Sequence, residues 1–197
     1  MNKVYIISEI KNLSEDEYKS YLDPSRTRRM DAILERAIGT ALKCIQTCDI
    51  PQPDAIINAT EFGSYEQDQF VLRSVKCGSR ISMASHFMLS TPNTVATTIG
   101  IYLKNHGYNC TYSHGKISYG LAMQDAFLKI KLGLLQNALV CLNDYVEGAG
   151  QYCTATATML SSKPQNGCTE LLSINISHND KGDQYELLTS NNIEKYG

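Results

Sequence analysis

His114 and Lys116 stand two residues apart in the stretch "NCTYSHGKISYGLAMQDAFLKIKLG", which runs from Asn109 to Gly133. A short β-branched and aromatic run ends in Ser-His-Gly-Lys, and a long apolar segment follows. A strand that turns sharply into a helix brings side chains to the carboxyl end of a sheet, where ligands of open α/β proteins bind. Free N–H groups and the positive end of the helix dipole favour an anion or a developing oxyanion at such a turn. His114 has the chemistry of a general base. Lys116 has that of a Schiff-base nucleophile if burial beside the helix end removes its charge. Against these stand a structural hydrogen bond for His114 and a solvent-directed ammonium for Lys116. Catalytic candidates are therefore His114 and Lys116.

The elements that must position them follow from hydropathy spacing. Segment 108–113 reads as a strand and 116–132 as a helix that is apolar nearly all round, the mark of a helix buried between layers. Segment 138–146 reads as the next strand, which makes strand, helix and strand one right-handed crossover unit. Upstream, 3–8 and 54–60 read as strands. The stretch 26–48 reads as a helix on the positions Met30, Ile33, Leu34, Ala37, Ile38, Ala41, Leu42 and Ile45. Segments 64–76 and 93–106 also read as helices, the second stopping at Gly107. Segment 85–92 reads as a loop. Two late strands, 150–162 and 169–177, are expected to pair with each other. Residues 179–197 read as a polar tail in which "YELL" forms at most a short edge strand. The fold class is α/β, with a mixed, mostly parallel sheet of about five strands and a buried helix after strand 108–113.

Composition narrows the function classes. The 197 residues carry a formal charge of −2, with 43% hydrophobic and 19% charged residues. No basic surface points to nucleic acid, and no apolar run reaches the roughly 20 residues of a membrane span. The beginning "MNKVYIISEI" has no secretory pattern. Seven cysteines, an odd count, fit reduced thiols and a cytoplasmic location. Cys44 and Cys48 share a helix face at i, i+4, but no matching second pair completes a metal site. Neither a metal nor a cofactor is expected.

Residues 107–120, "GYNCTYSHGKISYG", resemble the nucleophile turn of β-ketoacyl synthases, members of the thiolase fold. In that family a strand carrying T-x-S-T-A-C-A-S enters a buried helix. Thr111, Ser113 and Ser118 match, His114 and Gly115 replace Thr-Ala, and Lys116 takes the cysteine position. "STPNTVATTIGIYL" (90–103), "ALVCLNDYVEGAG" (138–150) with its Gly148-Ala149-Gly150 turn, and "SRTRRMDAILERAIGTALKCI" (25–45) resemble flanking elements in the same order. The resemblance covers residues 1–178, read as the N-terminal synthase-like domain, and is nearest to chain-length-factor-like subunits that lack the cysteine. It implies a non-catalytic partner subunit in acyl-carrier-protein-dependent fatty acid, aryl polyene or polyketide synthesis. The partner would be a second copy or a full-length ketosynthase, and acyl carrier protein is a further candidate. The family's second half carries two catalytic histidines, which His86, His106, His114 and His178 do not match. The alternatives are an acyl-transferring enzyme using His114 or Lys116, and an unrelated small α/β binding protein.

Overall fold

The computed structural model describes residues 1–28, 30–78, 86–87, 89–146, 152–179 and 182–196. The strands are β1 (Val4–Lys11), β2 (Ala55–Ala59), β3 (Tyr108–Tyr112), β4 (Asn137–Val146), β5 (Tyr152–Ser161), β6 (Thr169–Asn179), β7 (Gly182–Thr189) and β8 (Ile193–Tyr196). The helices are α1 (Glu15–Lys19), α2 (Pro24–Thr27), α3 (Ala32–Cys48), α4 (Tyr65–Lys76), α5 (Thr94–Leu103) and α6 (Ser118–Lys131).

One sheet orders these strands β3-β2-β4-β5-β1-β6-β7-β8. β2 runs parallel to both β3 and β4. β4 and β1 both run antiparallel to β5, so β1 to β4 share one direction and β5 opposes them. That is the mixed five-stranded sheet with four strands aligned. Three further strands extend it to eight, each antiparallel to its neighbour. β2 reads AIINA and is buried throughout, as a strand covered on both faces must be.

Two apolar layers flank the sheet. α6 lies on one face with Ala122, Met123, Ala126 and Ile130 against Ile57, Val140 and Leu160. α3 and α5 lie on the other, where Ile38, Ala41 and Ile99 meet Ile56, Leu139 and Met159. α6 is thus the buried helix after β3. Leu128 on its outer side and Leu132 just after its end remain exposed.

Several boundaries differ from the sequence reading, each for a local reason. The helix read from 26 to 48 is split. Asp23 caps α2, and Asp31 starts α3 by accepting from the Leu34 amide at 3.0 Å; a capping aspartate is a better start than continuation through it. α5 ends when Lys104 takes the left-handed conformation at φ 53°, three residues before Gly107. β5 and β6 are not paired with each other, because β1 lies between them and binds both. The stretch read as a polar tail holds β7 and β8, and Tyr185 and Leu187 of β7 are buried against α6. Part of the loop read at 85–92 and the Gly148-Ala149-Gly150 turn lie outside the described residues.

Candidate functional site

β3 ends at Tyr112 and α6 begins at Ser118, leaving five residues for the turn. Ser118 holds that turn shut. Its hydroxyl accepts the His114 amide at 2.7 Å and donates to the Gly115 carbonyl at 2.6 Å. Gly115 sits at φ +57°, a left-handed conformation that glycine adopts without steric cost. The strand-to-helix elbow is present, and a buried serine fastens it.

The neighbouring loop is fastened by Asp144, at the far end of β4. Asp144 Oδ1 accepts the Thr60 hydroxyl at 2.7 Å, the Glu61 amide at 2.8 Å and the Phe62 amide at 3.1 Å. Thr60 in turn donates its amide to the Tyr112 carbonyl at 3.0 Å. The ends of β2, β3 and β4 are therefore tied together. Asp144 is only 8% exposed. Burial raises its pKa above the ordinary carboxylate value, although the three bonds act the other way.

An open hollow of about 300 Å³ lies between these loops, walled by Glu61, Lys116, Tyr119, Asp144, Tyr185 and Tyr196 among others. Tyr119 is buried beneath it, its hydroxyl 2.7 Å from Thr158 Oγ1. Tyr185 and Tyr196 stack with ring centroids 4.8 Å apart. Lys116 reaches the hollow but is exposed, so the condition of burial that would prime it as a nucleophile is not met. His114 is exposed and lies outside the hollow's wall. The turn thus brings the two candidates close in sequence but not into one pocket. Sequence reasoning missed Asp144. Its signal was a lone acidic residue closing an apolar strand.

The cysteines offer no replacement nucleophile at the elbow. Cys44, Cys48 and Cys141 are buried, and burial pushes the Cys141 thiol up to about 12. Cys48 Sγ donates to the Cys44 carbonyl at 3.0 Å within α3. Cys110 lies within β3, before the turn. Among the described residues no cluster of three or more His, Cys, Asp or Glu could hold a metal ion, and no helix is long and apolar enough to cross a membrane.

No family model and no curated protein matches this sequence. Solved structures do. The ketosynthase ApeO in complex with its chain length factor ApeC from Xenorhabdus doucetiae superposes with a TM-score of 0.67 at 16% identity, over 91% of this chain and 85% of that one. The chain has the thiolase-like fold of the ketosynthases. The ishigamide ketosynthase/chain length factor gives 0.64 at 17% identity, over 83% of this chain and 53% of that one. The 3-oxoacyl-(acyl carrier protein) synthase III, FabH, from Pseudomonas aeruginosa PAO1 gives 0.54 at 14%, over 91% and 58%. The chain therefore spans little more than half the length of the last two. In this ketosynthase fold the elbow between β3 and α6 is the Ser113–Ser118 turn, and the β7–β8 hairpin stands beside it through Tyr185 and Tyr196.

Proposed function

We infer that this chain is a non-catalytic ketosynthase-like subunit. It serves carrier-protein-dependent synthesis of a fatty acid, aryl polyene or polyketide by docking on a partner, either a full-length ketosynthase or a second copy, in the cytoplasm. The observation that carries this reading is the elbow. Its backbone is built for a nucleophile, with a left-handed glycine and a serine clasp, yet the position that the synthase resemblance assigns to cysteine holds an exposed lysine. The exposed His114 has no acidic partner to orient it among the described side-chain hydrogen bonds. Support for a partner comes from proteins of the same fold that are described as a ketosynthase with its chain length factor, or as an acyl-carrier protein in complex with its ketosynthase. Acyl carrier protein is thus a second candidate partner.

The test is acylation. Incubation of the purified chain with a long-chain acyl thioester, followed by intact mass measurement, is expected to leave the mass unchanged. A stoichiometric acyl adduct lost in Lys116→Ala would overturn the non-catalytic reading in favour of an acyl-transferring enzyme.

A further inference from the structure

The hollow beside the elbow holds charges of both signs that do not meet. Glu61, Asp144 and Lys116 all stand in its wall. None of the three forms an ion pair among the described residues. Asp144 is the most constrained of them. It is 8% exposed, and its Oδ1 accepts all three of the bonds that fasten the loop after β2. Its Oδ2 bonds to none of the described residues. Burial disfavours the Asp144 charge, and a cation at Oδ2 offsets that cost.

Lys116 is exposed and precedes α6 by two residues. α6 starts without a side-chain cap, so the positive end of its dipole adds to the lysine, and the two together favour a carboxylate. The remaining wall is largely aromatic. Tyr119, Tyr185 and Tyr196 border the hollow with Leu142. The Tyr119 hydroxyl is bonded to Thr158 at 2.7 Å and that of Tyr196 to Glu194. What these two residues offer a ligand is therefore ring surface, which packs on apolar groups and also attracts a cation. At about 300 Å³ the hollow is at the small end of ligand pockets. That is the size of a single metabolite rather than of a long acyl chain.

We propose that this hollow binds a free α-amino acid with an apolar or aromatic side chain, held as its zwitterion. The ammonium pairs with Asp144 Oδ2 and Glu61, the carboxylate with Lys116 at the start of α6, and the side chain lies on the tyrosine rings. A simple anion meets two carboxylates in this wall. A simple cation meets Lys116 and the helix end. A ligand carrying both charges satisfies all of these groups, and each pairing is a charge-assisted bond, the stronger kind. No bond in the ligand forms or breaks. The site needs neither a partner subunit nor acyl transfer, so this proposal and the synthase reading fail separately.

Amide-shift NMR titrations of the full chain test it with three probes: L-phenylalanine, 2-phenylethylamine, which lacks the carboxylate, and 3-phenylpropionate, which lacks the ammonium. L-phenylalanine is expected to bind saturably at one site by millimolar concentration, and each single-charge analogue to bind roughly tenfold more weakly or worse. Asp144→Asn, which keeps an acceptor for the Glu61 and Phe62 amides, and Lys116→Met are each expected to weaken L-phenylalanine by a similar factor. Circular dichroism melts check that the variants are folded. If Asp144→Asn fails to fold, Glu61→Gln replaces it with the same expectation. Absence of saturable L-phenylalanine binding, an analogue with one charge that binds as tightly, or a folded variant that binds as the wild type does would each overturn the proposal.

Discussion

The Tyr185 ring occupies the space that a side chain at position 120 would need: a Cβ built on Gly120 would lie 2.5 Å from Tyr185 Cγ and 2.8 Å from its Cβ. Gly120 is in the first turn of α6 and Tyr185 is in β7, so this contact locks the C-terminal hairpin onto the helix that follows the elbow. Gly120→Ala should therefore cost about 1–3 kcal/mol by overpacking, against its favourable effect on helix propensity. Urea unfolding measures the cost. A companion Tyr185→Ala should relieve the clash, making the two substitutions strongly non-additive. An alanine at 120 that stabilises the chain would show that β7 does not press on α6.

Gly115 presents the opposite case. It has open space around its missing Cβ but a φ of +57°, so the strain of substitution comes from the backbone alone. Gly115→Val should cost about 1–3 kcal/mol, while Gly115→Asn should be nearly neutral, because asparagine tolerates the left-handed conformation. Thermal melts of the two variants compare them. Equal losses would point to packing rather than φ.

Asp144 sets a pH dependence. Burial raises its folded pKa above the ordinary carboxylate value, so the folded state binds the proton more tightly than the unfolded chain. Its contribution to stability is complete below the ordinary value and is lost as pH rises through the raised one. Asp144→Asn keeps an acceptor for the Glu61 and Phe62 amides and removes the ionisation. Melts from about pH 4 to about pH 7 should therefore show a flatter profile for Asp144→Asn than for the wild type. Asp144→Ala should cost about 1–3 kcal/mol by leaving two amides without their acceptor. A profile unchanged by Asp144→Asn would mean that this carboxyl titrates as if in water.

What could be read from the sequence was local. Apolar and β-branched runs placed β1, β2, β3, β4 and α6, and the Ser-His-Gly-Lys turn between β3 and α6 is where the elbow stands. The start of α3 was misplaced because the apolar spacing of Met30 and Ile33 runs through Asp31, and a cap overrules periodicity at a helix end. The candidate site was half legible. A turn rich in chemical groups draws the eye to His114 and Lys116, but Asp144 acts on amides more than eighty residues away, and nothing beside it in the chain announces that.

The sequence by itself determined the strands β1 to β6, the buried character of α6 and the turn between β3 and α6, because these depend on residues a few positions apart. Only the tertiary structure decided that β1 sits between β5 and β6, that Tyr185 closes over Gly120, and that His114 stays in solvent while Asp144 ties down the loop after β2. The physical reason is that strand pairing is chosen by whole edges competing for one another. An edge carries the same N–H and C=O groups whatever its side chains, so the order β3-β2-β4-β5-β1-β6-β7-β8 emerges only when all the apolar faces are buried at once.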